Sequence, residues 1–122
     1  MVKVVRVHET GGPEVLQIED IELPPPGEGE VRVRNHAIGL NYIDIYFRKG
    51  LYPAPQLPFI LGNEAAGEVV ELGKGVKGFK PGDRVAYTAA LGGYAQERNV
   101  SAAQLVKLPK SISYETAAAA ML

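Results

Sequence analysis

A mostly-β barrel or sandwich is the fold class this sequence predicts, and three features carry that expectation. Short runs with a two-residue apolar–polar period recur along the chain, about seven in all. The 14 glycines and 9 prolines fall largely between those runs, where turns belong. Only two stretches, 41–50 and 113–122, exchange the two-residue period for helix signals. There are no internal repeats or low-complexity tracts, and 122 residues suit a single domain.

The elements follow in order. VKVVRV at 2–7 reads as a first strand, after which Gly11, Gly12 and Pro13 supply turn chemistry. Leu16, Ile18, Ile21 and Leu23, interleaved with Gln17, Glu19, Asp20 and Glu22, read as a second strand, bulged at Asp20 where the alternation slips. PPPGEG at 24–29 is a hard stop, because proline offers no ladder donor and glycine frees the backbone. Alternation is cleanest in EVRVRNHAI, 30–38, with Val31 and Val33 on one face and Arg32 and Arg34 on the other. Beyond Gly39 a short helix is expected over 41–50, with Asn41 near its start and Gly50 as its stop. The three prolines of LYPAPQLPFI, 51–60, impose an extended loop.

EAAGEVVELG at 64–73 returns to strand, with small residues where another backbone can approach closely. Pro81 and Gly82 suit the central positions of a type II turn, since Gly82 tolerates positive φ. Strands are expected at 84–88, 92–100 and 105–109. A helix then starts at Ser113, which can cap it; Glu115 suits the positive end of its dipole and four alanines propagate it.

Composition excludes several function classes. Hydrophobic content of 46% and charged content of 22% are ordinary for a soluble protein, and a cytoplasmic location fits. A net charge of −1 gives no reason to expect a nucleic-acid groove or an anionic membrane partner. Cysteine is absent, which removes disulfides, thiolate nucleophiles and sulfur-based zinc sites. The start MVKVVRVHETGG alternates and is charged, unlike a signal peptide, and no apolar run approaches the ~20 residues of a membrane span. His8 at a strand end and His36 on a polar strand face read as surface residues.

GGPEVL (11–16), AIGLNYIDIYFRKGLYP (37–53), LPFILGNEAAGEVVELGKGV (57–76) and KPGDRVAY (80–87) together resemble a known pattern. They are similar to the N-terminal half of zeta-crystallin-like NADPH:quinone oxidoreductases, a branch of the medium-chain dehydrogenase/reductase superfamily. The combination is far more specific than any one piece, and it covers essentially the whole chain. The resemblance implies a GroES-like, partly open β-barrel with short helices over residues 1–122. It also implies that this chain ends in the first turns of a helix leading to a Rossmann domain, absent here, that binds NADPH. The glycines of GKGVKG, 73–78, do not replace that domain, because no helix follows them to form a phosphate cradle.

In the zinc alcohol dehydrogenases of the same superfamily, zinc ligands stand where this chain has Asn41 and Asn63, and a four-cysteine lobe is added. Asparagine is a poor zinc ligand beside imidazole or thiolate, so the expectation is an enzyme without zinc. Asn63 alternatively serves only as a residue of a glycine-rich turn. Hydride transfer without a metal calls for an acceptor that spreads the incoming electrons, such as a quinone or enone, with hydrogen-bond donors at the developing oxyanion.

The resemblance implies that Asn41 and Tyr46 face the nicotinamide end of NADPH and that Tyr52 lines the quinone pocket. Asn41, Asp44 and Tyr52 are the catalytic candidates, with Asp44 as an orienting residue, and Asn41 and Tyr46 the cofactor contacts. Helical spacing makes Asp44 a neighbour of both Asn41 and Arg48. Bland alternatives stand beside these roles: Tyr52 as a plug at the barrel mouth, and Asp44 with Arg48 as a surface ion pair of little value. Glu64 is the expected buried carboxylate, with its role open. The function implied is the catalytic domain of a reductase, inactive as these 122 residues alone and a homodimer when full length. A stand-alone GroES-like binding module and an enoyl-thioester reductase are the alternatives.

Overall fold

The structure, a computed structural model, describes residues 1–54 and 56–120. Its strands are β1 (Val2–Val7), β2 (Leu16–Ile21), β3 (Glu30–Ile38), β4 (Phe59–Ile60), β5 (Glu64–Leu72), β6 (Arg84–Thr88), β7 (Glu97–Ser101) and β8 (Leu105–Lys107). Two helices accompany them, α1 (Tyr42–Lys49) and α2 (Tyr114–Ala120). The strands make two open antiparallel sheets, ordered β2-β1-β4 and β7-β3-β5-β6-β8. The mostly-β class is therefore as expected, and neither sheet closes on itself.

The core follows from the alternation. Val31, Val33, Val69, Val85, Tyr87 and Val100 are buried together between the strands of the larger sheet and the chain around it. Each fully buried valine contributes about 1.5 kcal/mol. A second cluster joins Val7 and Val15 to Phe59 and Leu61 at the smaller sheet. α2 lies on small residues, Ala117 and Ala118 against Ala66 and Ala86. Within β5 the backbone approach is close: a Cβ at Gly67 would run into the carbonyl of Arg34 on β3.

Several local expectations hold. Asp83 donates its N–H to the Lys80 carbonyl at 3.1 Å with Gly82 at φ +95°, so Pro81 and Gly82 do turn the chain. The Ser113 hydroxyl accepts the Thr116 N–H at 3.1 Å and caps α2, whose expected last residues, 121 and 122, lie outside the described residues. Arg84 fixes the approach to that helix by donating to the carbonyls of Pro109 and Ile112, both at 2.8 Å.

Three expectations are corrected. β2 ends at Ile21 and has no bulge at Asp20; its pairing with β1 runs unbroken, and Lys3 holds Asp20 in an ion pair at 3.1 Å. The irregularities lie instead in β3 against β5, between Arg32 and Val33 and between Asn35 and Ala37. The proline-rich loop ends in a short strand, β4, because burying Phe59 beside Val7 and Val15 draws it onto β1. The strand expected over 92–100 begins only at Glu97. Before it, the N–H groups of Gly92 and Gly93 both turn to the Gly62 carbonyl and Tyr94 donates to Leu61, so the pairing is reduced to an isolated bridge between Ala95 and Val4. Among the described residues no helix is long and apolar enough to cross a membrane.

Candidate active site at the start of the first helix

α1 begins where β3 ends. Asn41 is extended, at φ −131° and ψ 159°, and its N–H donates to a carboxylate oxygen of Asp44 at 3.1 Å. Such a reach back by the third helical residue satisfies a donor the helix itself leaves unpaired. The helix stops at Gly50, which takes the left-handed conformation at φ +85°.

Asp44 faces inward and is 2% exposed. The Tyr94 hydroxyl donates to Asp44 Oδ2 at 2.6 Å, the same oxygen that accepts the Asn41 N–H. Oδ1 has no hydrogen-bond partner. Burial first, then the hydrogen bond and charge of Asp44, push the Tyr94 hydroxyl well above the ordinary tyrosine value. The surface ion pair with Arg48 is not what forms. Among the described residues no ion pair involves Asp44, and Arg48 Nε donates to the Gly11 carbonyl at 3.2 Å.

The Asn41 side chain is held from the other direction. Its Nδ2 donates to Glu64 Oε1 at 2.9 Å, and Glu64, 1% exposed, opens β5. Glycine at 39 is required here, because a Cβ would collide with the Glu64 carboxylate and the Ala118 carbonyl. Asn41 and Glu64 line a cavity of about 290 Å³ together with Gly39, Leu40, Glu115 and Ala118. A larger, mainly apolar cavity of about 460 Å³ is lined by Val4, Ile18, Ile38, Leu40 and Tyr94 among others.

Tyr46 and Tyr52 form a separate group. Their rings meet edge to face at 5.4 Å and 65°, and Phe47 meets Tyr52 at 5.8 Å and 81°. Tyr46 is 38% and Tyr52 47% exposed. Neither lines either of the two cavities just described. The structure thus joins Asn41, Asp44 and Glu64, and pairs Tyr46 with Tyr52.

Asn63 braces a loop. Its Nδ2 donates to the Ala89 carbonyl at 2.9 Å while its own carbonyl accepts the Ala89 N–H at 2.8 Å. His8 pairs with Glu19 at 2.7 Å and His36 with Glu68 at 3.1 Å, both histidines partly exposed. Among the described residues no three His, Cys, Asp or Glu side chains converge as a metal site would need. Tyr94 is the member of the site that sequence reasoning missed. In GGYAQERNV it reads only as a strand residue, and nothing local signals a partner fifty positions earlier.

The chain is similar to known proteins in sequence and fold. Residues 27–110 match the alcohol dehydrogenase GroES-like domain. The chain is 54% identical over 123 residues to a quinone oxidoreductase of Pseudomonas aeruginosa, covering 100% of this chain and 38% of that protein. It superposes on the quinone oxidoreductase of Pseudomonas syringae pv. Tomato DC3000 with a TM-score of 0.96 and 52% identity, over 99% of this chain and 38% of the other. Escherichia coli quinone oxidoreductase complexed with NADPH gives a TM-score of 0.96 and 50% identity, over 98% and 37%. The chain spans well under half the length of these relatives.

Proposed function

Because the chain belongs to the alcohol dehydrogenase GroES-like domain family and is similar throughout to quinone oxidoreductases, we propose that residues 1–122 are the N-terminal catalytic domain of a zinc-independent oxidoreductase. The reaction is transfer of hydride from NADPH to a quinone or another conjugated carbonyl. The observation that carries this reading is the anchored amide of Asn41 in the lining of a cavity. One of its two N–H bonds goes to Glu64, and the second can be offered to a ligand.

The chain suits one end of the cofactor only. In this reading Asn41 lies beside the nicotinamide end, and the hydroxyl of Tyr46 is a fitting donor for it. The phosphates find no matching cradle: Gly75 and Gly78 sit in a turn with empty space where a Cβ would stand, so they shape the turn and no helix follows them. The pyrophosphate-binding part therefore belongs to a further domain in this reading. When bound, NADPH would supply the hydride, and a quinone taking it up would gain one proton from water to become the hydroquinone.

What this domain adds is placement and electrostatics. Asn41 offers its N–H where negative charge develops on the quinone oxygen; removing one such preorganised donor costs about 3 kcal/mol of barrier. Tyr52 supplies a flat, half-exposed wall for an aromatic acceptor, fixed by its edge contacts with Tyr46 and Phe47. Asp44 orients Asn41 through the backbone bond. Zinc does not fit the donor set. Asn41 and Asn63 could offer zinc only their amide carbonyl oxygens, weak ligands beside imidazole or thiolate, and among the described residues no three His, Cys, Asp or Glu side chains converge.

The test uses the full-length protein, which this reading takes to be a cytoplasmic homodimer. NADPH oxidation with 1,4-benzoquinone should proceed and should be unaffected by EDTA. Asn41→Ala should lower kcat by about 10²-fold, and residues 1–122 alone should not turn over. Full activity of Asn41→Ala, or abolition by the chelator, would overturn the proposal.

A further inference from the structure

We propose that Tyr94 is a positioning residue for the hydride transfer, setting the Asn41 amide through Asp44; this rests on the reading of Asn41 as the donor. The geometry is a short chain of contacts. The Tyr94 hydroxyl donates to Asp44 Oδ2 at 2.6 Å, and that oxygen accepts the Asn41 N–H at 3.1 Å. A hydroxyl bonded to a carboxylate at that separation is charge-assisted and among the stronger hydrogen bonds available. Asn41 is thereby gripped twice, at its backbone by Asp44 and at its side chain by Glu64.

Two further observations give Tyr94 its weight. Asp44 Oδ1 has no hydrogen-bond partner, so the side-chain charge depends on the two donors that meet at Oδ2. Without the tyrosine hydroxyl the carboxylate keeps one donor and is free to turn, and the backbone of Asn41 turns with it. Tyr94 is itself rigidly mounted. Its N–H donates to the Leu61 carbonyl at 2.8 Å, its carbonyl accepts the Val5 N–H at 2.8 Å, and its ring lies where a Cβ on Gly62 would stand. The strut therefore ties the start of α1 to β1 and to the loop before β5. The hydroxyl is protonated, and so a donor, throughout the neutral range, and its raised value extends that range above pH 10.

A merely structural tyrosine would change the fraction of folded enzyme and leave the transfer step in folded molecules alone. The experiment is accordingly single-turnover hydride transfer from NADPH to 1,4-benzoquinone in the full-length protein, in four forms: wild type, Tyr94→Phe, Asn41→Ala and the double variant. Tyr94→Phe keeps the ring and should slow transfer about tenfold with the KM for NADPH within about twofold. In the Asn41→Ala background the same change should cost less than about twofold, because its target is gone. An equal loss in both backgrounds overturns the positioning role while leaving Asn41 as donor. No loss in Asn41→Ala alone overturns the donor reading, and this one with it. Should Tyr94→Phe fail to fold, Asp44→Asn is read in the same two backgrounds, with the same loss expected and the same equality overturning the link.

Discussion

The two sides of α1 are built on opposite terms. Inward, Asp44 is buried beneath a tyrosine hydroxyl and a backbone amide that both donate to its Oδ2. Outward, the Tyr46 ring meets that of Tyr52, which follows the helix and also meets Phe47, and both tyrosines are partly open to solvent. A buried polar group is costly unless paired, so the inner side tolerates almost no change. An exposed aromatic pair carries little of the fold's stability and is correspondingly free to serve a ligand. One eight-residue helix thus holds a structural face and a face available for recognition.

That contrast can be broken in measurable ways. The largest effect should come from Asp44→Ala, which strands the Tyr94 hydroxyl and the Asn41 N–H inside the protein. Urea unfolding should show a loss of about 3 kcal/mol or more; a loss under 1 would mean the inner face is not the constrained one. Asn63→Ala removes the bond to the Ala89 carbonyl while the backbone bond remains, and should cost about 1 kcal/mol by the same assay. Tyr52→Ala should cost still less, about 0.5 kcal/mol, yet in the full-length enzyme raise the KM for the quinone. A large stability loss there with unchanged KM would make Tyr52 a plug rather than a wall.

The last prediction concerns alkaline pH and has no effect near neutrality. Burial raises both Tyr94 and Tyr87 above the ordinary value of 10.0, with Asp44 adding to the shift at Tyr94. A raised value in the folded state means the stabilising contribution is fully present below pH 10 and is lost as pH rises above it, because the unfolded chain deprotonates first. Stability should start to decline near pH 10, and Tyr94→Phe should decline less steeply. Parallel curves for the two proteins would mean that the fold does not raise the Tyr94 hydroxyl.

Much of this was legible in the residues. The valine alternation of 30–38 dictated a strand buried on one face, and the structure buries Val31 and Val33 there. Asn41 and Gly50 marked both ends of α1, and Gly82 its turn, because capping and positive φ are local demands. The misplaced features share a different cause. Phe59 and Ile60 became a strand, and 92–96 failed to become one, through partners distant in sequence.

Fold class, most element boundaries and the buried carboxylate at 64 are readable from the residues, since each rests on periodicity or on conformational limits a few residues wide. The folded chain was needed to reveal that Asp44 turns inward, that Tyr94 is its partner and that Glu64 holds the Asn41 amide. Those contacts join residues 23 and 50 positions apart, and they exist because two open sheets and a helix bring strand ends and loops to one place, which no local pattern encodes.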